Sequence, residues 1–317
     1  MARRGGALGR LLAAACCLGA ALGAAAADLI PIQVAPRVYY FQGEAGPASQ
    51  SNEGYMSNAG FVVTDDQVVA IDALGTPALG EAMLAAIRRV TPLPVKLVIV
   101  THYHADHYYG LQAFKAVGAE VWAQTAAKGA VDSDAARERL AQRRRDLPLS
   151  VDEHTRLVPP DILLAGDTTV RRGGVDFRIT AVGGAHSPED LMVLVPGQGV
   201  LFAGDLFFAG RLPFVGDADT GRWLQALDRM QDGRPAVVVP GHGAASRDPL
   251  PDIDLTRRYL AYLRETMGRA VAELIPFEEA YARTDWSAFA GLPAFAAANR
   301  GNAYNVYIGM EQEALGR

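Results

Sequence analysis

The chain has 317 residues, 50% hydrophobic and 21% charged, with Lys+Arg at 30 against Asp+Glu at 35 and a net charge of −5. Disorder needs low hydrophobicity with high net charge, and neither holds, so the chain can bury a substantial core. The acidic balance excludes the electrostatic footprint of a nucleic-acid binder, and two cysteines are too few for a disulfide scaffold.

Residues 1–27 carry Arg3, Arg4 and Arg10, then an apolar run of Leu, Ala and Cys, then small residues before Asp28. That is the order of a secretory signal peptide, with cleavage expected near Ala27 and a periplasmic or secreted location. Residues 11–27 are rich in Ala and Gly and would make only a marginal membrane span, so an anchor is the weaker reading. The Arg3-Arg4 pair lacks the apolar residues usual after a twin-arginine signal, and Ala13 stands where a lipoprotein signal ahead of Cys16 would have Leu. Cleavage removes three Arg and no acid, taking the net charge from −5 to −8, and removes Cys16 and Cys17. The remaining chain has no thiol, which suits an oxidising compartment. No later segment is long and apolar enough to span a bilayer, so no stable membrane insertion is expected.

The apolar runs 59–64, 67–72 and 96–100 are β-branched and bounded by turn residues, and read as strands. Between the last two, 77–90 has helical spacing through Leu79, Met83, Ala86 and Ile87. Next come a short helix at 110–117, a strand at 120–124 and a charged helix at 132–146, whose arginines read as a solvated face in preference to a lid. Strands at 175–181, 191–195, 200–203 and 236–239 follow, with an amphipathic helix at 220–230. The C-terminal third is helical, with Leu255, Tyr259, Tyr262, Leu263 and Leu274 as an apolar stripe. Hairpin-like strand pairs alternating with single helices predict an α/β fold of sheets covered by helices. The expected organisation is a signal at 1–27, one catalytic domain at 28–250, and a helical extension at 251–317 packed on it.

The strand at 96–100 runs into Thr101-His102-Tyr103-His104-Ala105-Asp106-His107. The carboxyl end of a buried strand is where open α/β sheets place their ligands. His102 and His104 project to one side if the backbone is extended, and the chain must then turn to bring Asp106 and His107 to a second point. That geometry suits two metals close together. His186, Asp205 and His242 stand in the same kind of place, after the strands at 175–181, 200–203 and 236–239. Taken singly, each reads more readily as an ordinary buried or surface residue. Five of six histidines at strand ends, with two Asp, is not coincidence; only His154 reads as ordinary surface.

The pattern H-x-H-x-D-H, then His, Asp and His, resembles that of the metallo-β-lactamase-fold hydrolases over roughly residues 30–245. The strand ending at Asp72 is similar to that family's first motif, whose Asp supports the metal loop from behind. The resemblance implies a four-layer αβ/βα sandwich with a shallow groove at one edge. It implies that His102, His104 and His186 hold one metal, that Asp106, His107 and His242 hold a second, and that Asp205 bridges them. Imidazole and carboxylate donors suit two Zn2+ per chain, with iron or manganese as alternatives. A hydroxide bridging the pair would attack an electrophilic carbonyl, with Asp106 orienting it and shuttling its proton.

Asp205 makes the set look more like glyoxalase II, lactonases and related hydrolases than the β-lactamases of the fold. The segment 204–217 and the stretch Tyr55-Met56-Ser57-Asn58-Ala59-Gly60-Phe61 look most like exported metallohydrolases associated with quinoprotein or sulfur-oxidation systems. The expectation is a hydrolase of an ester, thioester, lactone or lactam in a small-molecule substrate, with no nucleic-acid partner and the oligomeric state left open. The alternatives are an iron-dependent persulfide dioxygenase-like enzyme and a non-catalytic periplasmic accessory protein. Phe207, Phe208, Phe214 and the loop 44–55 stand equally as groove wall or core. Arg211 stands equally as a partner for a substrate carboxylate or as half of a structural salt bridge.

Overall fold

A computed structural model describes residues 28–316; the expected export signal lies outside the described residues. The first sheet has the spatial order β1 (Ile32–Ala35), β2 (Val38–Phe41), β3 (Ala59–Val63), β4 (Val68–Ile71), β5 (Val95–Ile99), β6 (Glu120–Gln124), β7 (Ile162–Leu164). Strands β1 to β4 pair antiparallel, and from β4 onward the pairing is parallel. Parallel neighbours need crossovers. These are α1 (Pro77–Val90), then α2 (Ala105–Tyr108) with α3 (Leu111–Ala116), then α4 (Ala127–Asp132) with α5 (Asp134–Asp146). The second sheet holds β8 (Thr168–Arg172), β9 (Val175–Ala181), β10 (Leu191–Val195), β11 (Val200–Phe208) and β12 (Val237–His242). It is antiparallel except for β11 with β12, which α6 (Thr220–Arg229) connects. The chain ends in α7 (Pro249–Ala272), α8 (Phe277–Arg283) and α9 (Phe295–Ala314).

The side-chain period of two along each strand divides the interior into three apolar layers. Val69 and Ile71 of β4, with Leu97 and Ile99 of β5, face Phe177, Ile179, Val193 and Phe202 of the other sheet. Val68, Ala70 and Val98 point the opposite way, against Leu79, Met83, Ile87 and Phe114 of α1 and α3. Met192, Leu194, Leu201 and Val238 take the outer side of the second sheet, against Trp223, Leu227, Leu260 and Leu263. The result is a helix–sheet–sheet–helix sandwich, the α/β class expected.

Local signals account for the helices. Thr76 caps α1, accepting from the Leu79 amide at 3.1 Å, with Pro77 at the first position and Arg88 and Arg89 in the last turn. The 200–203 strand continues through Phe208, because its apolar run does not break at Gly204-Asp205; Asp205 therefore lies inside β11. Leu274, expected in the apolar stripe of the C-terminal helices, is 88% exposed, because α7 ends at Ala272. The short strands β1, β2, β7 and β8 carry too few alternating residues to stand out in the sequence.

The C-terminal helices brace the loop that follows β11. Asn302 of α9 accepts from the Val215 amide at 2.9 Å and donates to the Pro213 carbonyl at 2.7 Å and the Tyr259 hydroxyl at 3.0 Å. Asn305 donates to the Gly216 carbonyl, and the Leu212 amide donates to the Pro293 carbonyl. Arg264 of α7 grips Glu313 of α9 with both terminal nitrogens, at 3.0 and 2.9 Å. Asn302 is buried, so its truncation leaves the Val215 amide and the Pro213 carbonyl unpaired. Asn302→Ala is expected to cost about 1–3 kcal/mol for each group left unsatisfied, measured by denaturant unfolding; a wild-type midpoint would show that the loop is held by other means.

Candidate metal centre

The site forms where both sheets end. Val100 and Thr101 leave β5 and lead to His102; Asp72 follows β4; His186 lies between β9 and β10; Asp205 lies within β11; His242 is the last residue of β12. His104 keeps extended backbone (φ −83°, ψ 144°), so it shares a side with His102, and the single turn of α2 then carries Asp106 and His107 to another point. One group of donor atoms comprises His102, His104, His186 and Asp205, and another Asp106, His107 and His242; within each, the atoms lie within 4.8 Å of one another. All seven residues expected as ligands are thus brought together. His154 stands apart in solvent, at 81% side-chain exposure.

Asp205 stands between the two groups. Its Oδ2 is 3.3 Å from Nε2 of both His186 and His242, and its Oδ1 is 3.0 Å from His107 Nε2. Asp106 Oδ2 lies 3.3 Å from His242 Nε2. His104 Nδ1 and His186 Nε2 approach to 2.8 Å. Except for the half-buried His104, these side chains are nearly dry.

Supporting groups fix which nitrogen each ring presents. Asp72 Oδ2 accepts from His107 Nδ1 at 2.9 Å, and the same carboxylate accepts from the Thr101 amide at 2.7 Å and the Thr101 hydroxyl at 2.8 Å. It does so from left-handed backbone, φ +60°, a conformation Asp tolerates better than most residues. His242 Nδ1 donates to the Met56 carbonyl at 2.7 Å. With Nδ1 committed to these acceptors in both rings, Nε2 is the nitrogen turned to the cluster, the arrangement of metal-binding histidines. A side chain at Gly241 would collide with the Asp205 carboxylate, so only glycine lets β12 pass there.

The electrostatics separate the rings into two kinds. Burial, with His107 close by, holds His102 well below the usual histidine value; burial and His186 take His104 down to about 3, and burial takes His186 down to about 4. Burial works against charge on His107 too, but Asp205 and Asp106 override it and hold His107 well above its ordinary value. His242 is raised in the same way, chiefly by Asp205 against the effect of burial. Burial opposes ionisation of Asp106 and Asp205, yet the neighbouring histidines keep both carboxyls well below the usual range.

The donor set fits a metal. His102 Nε2, His107 Nε2 and Asp205 Oδ1 are buried without a hydrogen-bond partner although they crowd one another. A buried polar atom left unpaired costs about 1–3 kcal/mol, so several converging on one point need a common partner. Two carboxylates and five imidazoles supply only nitrogen and oxygen donors, which a divalent cation satisfies.

A cavity of about 900 Å3 opens over the cluster, and His104, Asp106, His186, Asp205 and His242 reach it. Phe214, 49% exposed, lines it; Phe208 reaches it while stacking on His242 at 5.0 Å, and Phe207 is core. The charged helix α5 forms one wall through Arg139, Gln142 and Arg143, so its arginine face is not merely solvated. Sequence reasoning passed over Glu189 and Asp190, although both stand within four residues of His186. Glu189 accepts from the Tyr103 amide at 3.0 Å; Asp190 accepts from the Ser187 amide and hydroxyl at 2.8 and 2.7 Å, shaping the turn that presents His186. Burial pushes the Asp190 carboxyl up to about 8.

A family model described as the metallo-beta-lactamase superfamily matches residues 52–242. The metallo-beta-lactamase type 2 of Bacteroides fragilis is 25% identical over 192 residues, 59% of this chain and 69% of that one. A linear primary-alkylsulfatase of Pseudomonas sp. is 22% identical over 246 residues, 66% of this chain and 46% of that one. Among solved structures, a stereoselective inverting sec-alkylsulfatase from Pseudomonas sp. overlays 91% of this chain with a TM-score of 0.70 at 19% identity. The chain spans half of that protein's length. A metallo-beta-lactamase from Pontibacter korlensis overlays 74% of this chain and 99% of its own, with a TM-score of 0.58 at 24% identity. The alkylsulfatase overlay takes in more of the chain than the β-lactamase one does, so the shared fold reaches into the C-terminal helices.

Asp72 holds His107 and Thr101 together without reaching the cavity. Asp72→Ala is therefore expected to weaken metal binding by roughly 10–100-fold, read by competition with a chromophoric chelator. An unchanged affinity would show that Asp72 does not orient the ring.

Proposed function

The chain belongs to the metallo-β-lactamase superfamily, and from that premise we propose that it is an exported hydrolase that uses two zinc ions to break an ester, thioester, lactone or lactam bond in a small molecule. The observation that carries this reading is the convergence of buried donors, several of them without protein partners, on the floor of one cavity. The alkylsulfatase relatives add sulfate esters to the bonds to be tried. Export rests on the order of charged, apolar and small residues in 1–27.

His102, His104 and His186 would hold one ion, Asp106, His107 and His242 the other, with Asp205 shared. Divalent ions held there would supply a water of lowered pKa and would polarise the bond to be cleaved. The chain's own groups do the rest. Asp106 is the more exposed of the two carboxylates, 12% against 4%, and reaches the cavity, so it is the one placed to orient the attacking water and shuttle its proton to the leaving group. Ser187, next to His186, donates its hydroxyl hydrogen to Asp190 and is committed to the turn. Met56, Phe208 and Phe214 wall the cavity with apolar surface, which limits water around the reacting bond and strengthens the field of the carboxylates.

The test is metal analysis of protein purified from the periplasm, followed by a chromogenic panel of ester, thioester, lactone, β-lactam and alkyl sulfate. About two zinc per chain are expected, with turnover of at least one substrate abolished by chelation. His102→Ala and Asp205→Ala should each lower kcat by more than the roughly 10–100-fold expected of a supporting residue. One iron per chain with oxygen consumption on a persulfide would replace this reading by an oxygenase. Bound metal with no turnover across the panel would leave an accessory protein.

A further inference from the structure

Arg211 is 3% exposed and lies on the cavity wall beside His242. A buried guanidinium ordinarily has a carboxylate against its fork. Arg211 makes no ion pair with any described carboxylate, although Asp205 and Asp106 stand near enough to support its charge against burial, and its Nε has no hydrogen-bond partner. Among the described residues, the polar atom within hydrogen-bond distance of it, 3.1 Å from Nη1, is Nδ1 of His242. That nitrogen already gives its proton to the Met56 carbonyl and has no lone pair left to accept from Arg211. A cation is therefore held in a dry place with no carboxylate against its fork, on the wall of the cavity that contains the cluster. The structural salt bridge, one of the two readings the sequence left for this residue, is absent.

Other positive groups share the lining with its carboxylates. The N-terminal end of the 20-residue α9 reaches the cavity through Ala294, Ala297 and Ala298, with no acidic residue in its first turn, and contributes partial positive charge. On the wall contributed by α5, Arg139 and Arg143 stand four residues apart and pair with no described carboxylate. The carboxylates of the lining are mostly engaged: Asp106 and Asp205 with the histidines, Glu189 through one oxygen with the Tyr103 amide while its Oε2 has no partner, Asp146 with Gln142. Asp217 remains at the exposed rim.

Building on the hydrolase reading of this cavity, we propose that its substrate is a small amphiphilic anion, whose carboxylate or sulfate-type group is received by Arg211 and whose apolar body lies against Phe214 and Met56. Two oxygens of a carboxylate or sulfate-type group match the guanidinium fork, and a neutral substrate would leave that fork buried and unpaired. Arg139 and Arg143, more exposed, act at longer range by drawing anions to the opening, a salt-sensitive contribution.

The test is calorimetric binding to the metal-loaded protein, which needs no turnover. The probes are octane-1-sulfonate, octanoate and the neutral methyl octyl sulfone. Wild type is expected to bind at least one anion roughly 10–100-fold tighter than the sulfone, the range for hydrogen bonds to a charged group. Sulfonate over octanoate assigns a sulfate-type group, and the reverse assigns a carboxylate. Arg211→Met should erase the preference at unchanged metal content and circular dichroism, and Arg211→Lys should keep part of it. The Arg139→Gln/Arg143→Gln double variant should lose anion affinity at low ionic strength and match wild type at high. Equal binding of all three probes by wild type overturns the proposal even if Arg211→Met fails to fold, as does a preference that survives in Arg211→Met. Because no bond is broken, a panel without turnover would sink the hydrolase reading and leave this result standing.

Discussion

Five imidazoles and two carboxylates buried at one point cannot satisfy one another, and the rest of the structure is arranged around that fact. Donor atoms with spare lone pairs repel when they crowd, and His102, His104 and His186 are driven to the neutral form by burial. His107 and His242 face the two carboxylates and are drawn the other way. Such a cluster is stable only when a cation is shared among its members or when the scaffold overrides the repulsion. The scaffold here does so from two directions: β5 and its following loop bring four of the donors, and the second sheet brings His186, Asp205 and His242. The apolar layer between the sheets, with Ile71 and Ile99 on one side and Val193 and Phe202 on the other, therefore also sets the distance between the halves of the site.

Holding donors at that distance requires exceptions to ordinary backbone and side-chain rules, and these exceptions lie around the cluster. Asp72 takes left-handed backbone at the end of β4, which turns its carboxylate under His107 and Thr101. Gly204 has φ +54°, and a side chain there would press into Thr101; Gly241 faces the Asp205 carboxylate. Asn58 bridges the gap between the sheets, donating to the carbonyls of Pro240 and Gly243 at 2.8 Å each and accepting from the Gly43 amide. Strain costs stability, and a buried polar bridge does so unless every member is paired. Their position at the meeting of β4, β5, β11 and β12 places that cost where the donors have to be aligned.

This arrangement explains what could be read from the sequence. The strands and helices with long buried faces, such as α1, β6, β9 and β10, were visible because their hydrophobic period matches the element. The donors were visible because chemistry-bearing residues stand out against apolar strands. What was hidden depends on tertiary contact. A charged helix looks solvated until the cavity forms beside it, and Arg143 and Arg144 are consecutive but serve differently: one lines the cavity, the other donates to the Asp152 and Thr155 carbonyls. Phe207 and Phe208 are neighbours in sequence, yet β11 turns one into the core and the other against His242. No local pattern distinguishes Glu189, held by the Tyr103 amide 86 residues away, from an ordinary surface acid.

Chemistry and selection are carried by different parts of the chain. The donors sit on strand ends fixed by the two sheets, whereas the walls of the cavity come from α5, from the loop bearing Arg211 and Phe214, and from the start of α9. That loop is held by Asn302 and Asn305 rather than by either sheet. A change in α5 or α9 can therefore alter what the cavity admits without moving a donor, as expected when function is grafted onto a scaffold. The separation also explains why a net-acidic chain can contain a site suited to anions. Most of the acids are spread over the surface, where water screens them, while Arg211 acts from a buried position in which screening is weak. Net charge describes how the molecule meets solvent, and one uncommitted guanidinium beside the cluster decides more about what the site receives.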